Sequence, residues 1–248
     1  MKIAWRSIVT MLIVIAFAFA AAAQTPPPYL NISRVTVKPD RVAEWLDIQK
    51  QYTAAYKKGG GSLLLVFRNI IGNPYEFMVV TPMENYAQCD GQSFAQKGMA
   101  EGDLARLNAR RNQVTESVRT TIDKPVAELS YMKEGASVPK MLRMNHTRVR
   151  PGMADQYIAL MKELVAGYKK IGVPGFRARR VELGGSRNDF YTAIPLEKWA
   201  ELDEQNLAIE ALGEAGYKTW VEKLYQTQSL SEFFIYSYVP EASLAPQQ

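Results

Sequence analysis

In two parts of the chain, a run of alternating apolar residues is followed by apolar residues at helical spacing. An alternating run from Leu30 to Val37 ends at a Lys-Pro pair, after which apolar residues recur at helical spacing. The same change follows the run that begins at Leu142. Both predicted helices end in Tyr-Lys-Lys-x-Gly, at Tyr56 and Tyr168, where lysines complement the negative helix end and glycine allows a left-handed residue. The pattern therefore predicts a strand followed by a helix in each half.

The later elements also come in matched pairs. Each half continues with a hairpin whose turn is rich in Gly, Asn, Pro or Ser, then a helix, then a strand. The predicted ranges, first half before second, are Leu63–Ile71 and Phe176–Leu183 for the first hairpin strand, Glu76–Val80 and Asp189–Ile194 for its partner, Leu104–Thr121 and Leu212–Gln226 for the helix, and Val126–Met132 and Phe233–Val239 for the last strand. The predicted order in each half is strand, helix, strand, strand, helix, strand.

The two halves correspond residue by residue, which indicates an internal duplication. Leu30 to Asp90 recurs as Leu142 to Asp203 with one inserted residue, and roughly a quarter of the aligned positions are identical. Each copy has about the length of one small domain. The predicted division is a signal peptide at 1–23, a proline-rich lead-in at 24–28, a first repeat at 29–135, a linker at 136–140, a second repeat at 141–240 and a tail at 241–248.

The order strand, helix, strand, strand, helix, strand is that of a ferredoxin-like (βαββαβ) unit. Leu64 and Val66 lie on one face of the second predicted strand and Leu65 and Phe67 on the other, which indicates a sheet buried on both sides. With the duplication and the strand–Val–Lys/Arg–Pro–helix junction, this order resembles the dimeric α/β-barrel superfamily. The resemblance implies an α+β fold, with two tandem ferredoxin-like repeats packed sheet to sheet as a pseudo-dimeric α/β barrel.

The superfamily resemblance implies several chemistries and selects none. Its members include antibiotic-biosynthesis-type monooxygenases, haem-degrading enzymes, haem-binding chlorite dismutases, dye-decolorising peroxidases and muconolactone isomerases. A cofactor-free monooxygenase of this kind is expected to surround an aromatic substrate with asparagine, tyrosine, tryptophan or arginine. Asn145 and Trp199 are candidates for that role.

The first residues have the features of an export signal. Lys2 and Arg6 precede an apolar run from Ile8 to Ala20, and small residues follow up to a predicted cleavage before Gln24. The run has about 13 residues, whereas a membrane-spanning helix needs about 20. We therefore expect a periplasmic or extracellular protein that leaves the membrane after cleavage.

The amino-acid composition argues against several kinds of partner and cofactor. Cys89 is the only cysteine, so an internal disulfide is impossible and its role stays open. The formal net charge is +5 without a basic run, which argues against a nucleic-acid partner. A single histidine, His146, argues against a histidine-rich zinc or iron site, and no metal is predicted.

Strand parity selects the first candidate site residues. If Val35 and Val37 pack on the helices, Arg34 faces the interior, and so does His146 at the equivalent position of the second repeat. His146 could act as a base near neutral pH, ligate haem, or be a hydrogen-bonded residue at a strand end. Tyr191 completes the predicted catalytic set.

A repeated pair of arginines, Arg68 and Arg180, supplies the second candidate group. Each could form an ion pair across its hairpin, with Glu76 or Asp189, or clamp a carboxylate ligand. Together with Asn145 they form the predicted ligand-binding set.

Two classes of function follow from these residues. The first is an exported binding protein that holds a small molecule or a partner through the fused barrel. The alternative is a cofactor-independent monooxygenase-like or isomerase-like enzyme acting on an aromatic or carboxylated small molecule, and a haem-binding protein is a minor alternative. No cofactor is predicted. The two repeats form an intramolecular pseudo-dimer; its further assembly, and whether Gln92 to Met99 is a lid or a connection, stay open.

Overall fold

Strands and helices follow one another largely in the order that the hydrophobic pattern predicts. The computed structural model describes residues 27–203 and 206–245, so the predicted signal peptide at 1–23 lies outside the described residues. The strands are β1 Tyr29–Val37, β2 Leu65–Ile71, β3 Glu76–Met83, β4 Thr115–Pro125, β5 Tyr131–Met132, β6 Met141–Val149, β7 Gly175–Leu183, β8 Asp189–Leu196 and β9 Gln228–Tyr238. The helices are α1 Val42–Lys58, α2 Phe94–Gly98, α3 Glu101–Val114, α4 Ala154–Lys170, α5 Leu207–Leu212 and α6 Glu214–Thr227.

The ends of α1 and α4 confirm the repeated stop signal. Both helices have 17 residues and finish on two lysines. Gly60 and Gly172 follow with φ angles of 98° and 80°, the left-handed region that glycine adopts without a steric penalty. None of the helices in the described part of the chain is long and apolar enough to cross a membrane.

The strands form one closed antiparallel barrel, so the expected fold class is wrong. Two ferredoxin-like sheets packed sheet to sheet would face each other as separate layers. Instead the order β4-β1-β3-β2-β9-β6-β8-β7 is continuous, and β7 pairs again with β4 to close eight strands into a ring. The seams β2–β9 and β4–β7 join the halves edge to edge. Closure satisfies backbone groups that free sheet edges would leave unpaired.

The barrel explains the two-sided apolar pattern of its strands. Leu65 and Phe67 belong to an inner cluster of side chains. Among the described residues, seven of the barrel strands contribute to this cluster and no helix does. Val66 belongs to an outer cluster that packs beneath α1 and α3. A similar outer cluster lies beneath α4, α5 and α6 in the second half. Most of the strands are therefore buried on both faces, by the barrel interior and by helices, whereas much of β4 is exposed.

The end of the first half differs from the prediction. The expected helix Leu104–Thr121 stops at Val114, and β4 begins at once and pairs with β1 along its length. The expected strand Val126–Met132 is reduced to the two residues of β5. β-Branched residues favour extended backbone and are frequent from Thr115 to Ile122, but their exposed outer positions resemble a polar helix surface. In the second half, all but the last residue of the expected strand Phe233–Val239 lies in β9.

The segment Gln92–Met99 contains α2, which packs against α1 through glycine. A Cβ atom added at Gly98 would lie 1.8 Å from the carbonyl oxygen of Ala55.

We expect Gly98→Ala to lower the free energy of unfolding by about 1–3 kcal/mol, because the backbone must shift to admit the methyl group. Urea denaturation measures this. Gly91→Ala is the matched control, since a Cβ atom there meets nothing within 4 Å; equal stability of the two variants would contradict the contact.

Candidate functional site

Three predicted residues meet inside the barrel. Tyr191 on β8 lies between β6 and β7, and its ring centroid is 4.5 Å from that of His146, with the two planes at 10°. The guanidinium carbon of Arg34 lies 4.2 Å from the same ring centroid, and that of Arg179 lies 4.4 Å away. Alternation along β1 and β6 brings Arg34 and His146 to the interior, as strand parity predicted. Their catalytic role stays a prediction.

Carboxylates surround His146 on both sides of its ring. Nδ1 lies 3.1 Å from Oε2 of Glu232, and Nε2 lies 3.3 Å from Oδ1 of Asp189. Asp189 is fully buried and also accepts two hydrogen bonds from the Arg148 guanidinium, at 2.7 and 3.0 Å. A planar guanidinium that donates two bonds to one carboxylate is held in a defined orientation. The histidine is thereby part of an ion-paired network of side chains.

The network changes the ionisation of Asp189. Burial raises the pKa of this carboxyl, but the hydrogen bond from Arg148 and the charge and hydrogen bond of His146 outweigh it, so the net pKa is lowered. A lowered native pKa contributes stability that is present above the unfolded value of about 3.9 and is lost as the pH falls through the native pKa.

We expect Asp189→Asn to remove part of the acid sensitivity of the protein. The stability difference between wild type and variant should be largest near neutral pH and should shrink as the pH falls below about 4, because the wild-type carboxylate then becomes protonated. Thermal unfolding at a series of pH values measures the difference. Asp47→Asn, at a side chain that is 68% exposed, is the control. A difference that grows towards acid pH would contradict the assigned ion pairs.

The surroundings of His146 do not fit haem. An axial ligand needs one imidazole nitrogen free to face the iron, with open space on that side. Both ring nitrogens of His146 face carboxylate oxygens, and one face of the ring stacks on Tyr191. His146 is also the only histidine in the sequence. Histidine ligation of haem is therefore not a property of this site.

Sequence reasoning missed a second buried ion pair. Arg179 on β7 pairs with the fully buried Asp123 on β4, across the seam that closes the barrel. The hydroxyl of Tyr236 donates to Glu76, and burial followed by the charge of Glu76 raises the pKa of that tyrosine. Asp123 could have been found as the one carboxylate on the inner face of β4, had that strand been recognised.

The repeated arginines Arg68 and Arg180 lie on the outer face instead. Nε of Arg68 donates to the carbonyl oxygen of Pro74 at 2.9 Å, and Nε of Arg180 donates to that of Arg187. Both guanidinium groups lie over a phenylalanine ring of the neighbouring strand. The predicted ion pairs do not form, because Glu76 and Asp189 are inner-face residues. The predicted anion clamp is likewise not brought to His146, since these arginines support hairpin turns.

A cavity of about 300 Å³ opens on the helix side of the second half and contains the remaining predicted residue, Asn145. This second-half cavity lies between the outer face of β6, β8 and β9 and the helices α4 and α6. Its wall is rich in aromatic side chains, namely Tyr157, Tyr168, Phe176, Tyr217, Trp220, Tyr225 and Phe233. No aspartate or glutamate lines it among the described residues. Trp199, the other suggested aromatic residue, is half exposed and does not line the cavity.

Three polar side chains of β6 line this cavity, namely Arg143, Asn145 and Thr147. Asn145 donates from Nδ2 to Oγ of Ser231 at 3.2 Å and accepts from Thr147 at 2.9 Å. The guanidinium carbon of Arg143 lies 5.6 Å from the ring centroid of Phe233. Its side chain makes no hydrogen bond or ion pair with any other described residue. Burial raises the pKa of Tyr168 to about 12, while the charge of Arg143 opposes that rise. Among the described residues, the cavity thus combines flat aromatic walls with one cation that has no countercharge.

Solved structures share this fold at low sequence identity. A candidate monooxygenase from Lactobacillus acidophilus NCFM matches with a TM-score of 0.59 and 12% identity, over 89% of this chain and 97% of that chain. An anthrone oxidase-like protein matches with a TM-score of 0.58 and 10% identity, over 86% and 92%. Chlorite dismutase from Candidatus Nitrospira defluvii, in complex with imidazole, matches with a TM-score of 0.53 and 12% identity, over 88% and 93%.

These likenesses concern the fold alone. No family model matches the chain, and the curated proteins contain no significant sequence match. The three neighbours carry different names, so the shared fold does not identify a family for this chain. The chain therefore shares its overall fold with these three proteins.

Proposed function

We propose that this protein is a monooxygenase-like enzyme that oxidises an electron-rich, planar aromatic molecule in the second-half cavity. One observation carries the proposal: an aromatic-walled cavity in which the only cation, Arg143, has no carboxylate partner among the described residues. The fold shared with a candidate monooxygenase and with an anthrone oxidase-like protein supports an oxidation of this kind.

The shape of the cavity favours a flat substrate. A volume of about 300 Å³ is at the lower end of the range for small-molecule sites. Tyr217 and Trp220 lie with their ring planes at 24° and their centroids 6.4 Å apart. The Trp220 indole N–H donates to the carbonyl oxygen of Leu160 at 2.8 Å, which holds the ring in place. Fixed aromatic walls favour stacking with a substrate of two or three fused rings.

The proposed chemistry needs only the substrate and O₂. A methylene carbon between aromatic rings loses two C–H bonds and gains one C=O bond, while the second oxygen atom leaves as water with the two hydrogens. The substrate supplies all the electrons, and its deprotonated, phenolate-like form releases them most easily. Arg143 stabilises that negative charge through its own positive charge. Asn145, held by Ser231 and Thr147, offers an amide that orients a substrate oxygen.

The same cavity would serve a binding protein that performs no reaction. The two functions differ in one measurable quantity, the consumption of O₂. An oxygen electrode with the full chain and a hydroxylated anthrone, corrected for spontaneous oxidation, tests the proposal. We expect O₂ uptake that is proportional to protein concentration and that saturates with substrate. Tight binding of the anthrone without O₂ uptake would leave a binding protein and refute the enzymatic proposal.

A further inference from the structure

A second, larger cavity lies on the helix side of the first half. This first-half cavity has a volume of about 560 Å³ and lies between the outer face of β1 and β3 and the segment that connects β3 to α3. Tyr52, Tyr56 and Phe94 form an aromatic part of its wall, in which the last two rings meet edge to face at 5.2 Å. Much of the remaining lining is polar and uncharged, from Asn31, Ser33, Gln49, Thr81, Gln88, Gln92, Ser93 and Gln96.

The two cavities occupy corresponding places but carry their positive charge on different walls. The third residue of β1 is Asn31, whereas that of β6 is Arg143. The eleventh residue of α3 is Arg111, whereas that of α6 is Leu224. All four residues line their cavities. The second-half cavity therefore takes its cation from the sheet, and the first-half cavity from the helix.

Arg111 is a cation in partly apolar surroundings that has no countercharge among the residues the structure describes. Its guanidinium carbon lies 5.7 Å from the ring centroid of Tyr52. Within the described residues no carboxylate oxygen lies within 4.0 Å of its nitrogens, although its neighbour Arg110 reaches Glu44. Burial lowers the pKa of Arg111, which reflects the cost of keeping it charged there.

The net charge of the described residues that line the first-half cavity is positive. Lys97 on α2 is a second cation at its rim, and its ammonium lies 5.6 Å from the ring centroid of Phe94. No aspartate or glutamate is among the described lining residues. An anionic ligand would supply the charge that Arg111 lacks, and a guanidinium binds a carboxylate through two parallel hydrogen bonds.

We propose that the first-half cavity is a separate binding site for an aromatic carboxylate. Its carboxylate pairs with Arg111, its ring packs on Tyr52, Tyr56 and Phe94, and Lys97 adds attraction at the rim. The volume admits a molecule of two fused rings. This site does not depend on oxidation in the second-half cavity.

Isothermal titration of the full chain with 2-naphthoate tests this site. We expect 2-naphthoate to bind and neutral 2-naphthamide to bind at least tenfold more weakly, because the amide lacks the charge. Arg111→Leu, which introduces the residue of the corresponding position in α6, should weaken 2-naphthoate binding roughly tenfold or more. Arg110→Leu, at an exposed position one residue away on α3, is the matched control and should bind as wild type does.

Further variants separate this proposal from alternatives. If Arg111→Leu fails to fold by near-ultraviolet circular dichroism, Lys97→Gln at the exposed rim should still weaken binding several-fold. Arg143→Leu should leave 2-naphthoate binding intact, whatever it does to oxidation in the other cavity. The proposal is overturned if 2-naphthoate does not bind wild type, if naphthamide binds equally well, or if Arg143→Leu removes binding while Arg111→Leu keeps it. If millimolar inorganic phosphate binds at this site as strongly as 2-naphthoate does, the aromatic ring of the ligand adds nothing to binding. That result would contradict the proposed packing on the aromatic wall.

Discussion

Replacement of Asp123 by alanine is expected to lower the free energy of unfolding by about 3–5 kcal/mol. Asp123 is fully buried, and its partner Arg179 is only 12% exposed. The pair crosses the seam between β4 and β7, where the sheet closes into a barrel. Removing the carboxylate leaves the guanidinium charged in the interior, and that desolvated charge accounts for most of the cost. Denaturation in urea or guanidinium chloride measures the change.

Two controls connect this loss to the buried charge. Asp103→Ala breaks the exposed ion pair with Arg106 and should cost no more than about 1 kcal/mol. The double replacement Asp123→Leu with Arg179→Met removes both charges and should recover most of the stability that Asp123→Ala loses. If Asp123→Ala is as mild as Asp103→Ala, the ion pair does not stabilise the closed barrel as described.

Arg143→Leu is expected to lower kcat for aromatic oxidation by about 10²-fold, with a smaller change in KM. The guanidinium interacts most strongly with the negative charge that develops on the substrate, so its loss raises the barrier more than it weakens binding. Initial rates of O₂ uptake over a range of hydroxylated anthrone concentrations measure both parameters. The leucine side chain suits the apolar cavity wall, and the thermal midpoint should change little.

Arg150→Leu is the matched control for this activity loss. Arg150 is an exposed arginine of the same half that does not line the cavity. The Arg150→Leu variant should retain the kcat of the wild-type protein. Equal activity of Arg143→Leu and Arg150→Leu, with both proteins folded, would show that Arg143 does not stabilise the substrate anion.

Local patterns predicted much of the fold. The change from period two to helical period located β1, α1, β6 and α4, and the Tyr-Lys-Lys signature located the helix ends. The alternation of side chains along a strand also predicted that Arg34 and His146 face the same interior. The structure places both side chains next to Tyr191 inside the barrel. These features depend on residues that are close in sequence.

The features that were missed depend on pairing between distant segments. Closure of the barrel requires β4 to pair with β7, and no local pattern specifies which sheet edges meet. Burial of Asp123 follows from that seam. Arg68 and Arg180 were predicted either to form ion pairs or to clamp a carboxylate ligand, yet each lies on the opposite face of its strand pair from Glu76 or Asp189. The aromatic cavity around Asn145 forms only when α6 covers β6, and the periodicity of either element alone does not reveal it.

Oxidation under ¹⁸O₂ tests the central claim most directly. The purified full chain is incubated with a hydroxylated anthrone and ¹⁸O₂, and the product is analysed by mass spectrometry beside a reaction without protein. The account predicts one ¹⁸O atom in the new carbonyl group, formed at a rate that depends on wild-type protein and falls with Arg143→Leu. Product formation at the rate of the protein-free reaction, with wild type and Arg143→Leu alike, would contradict it.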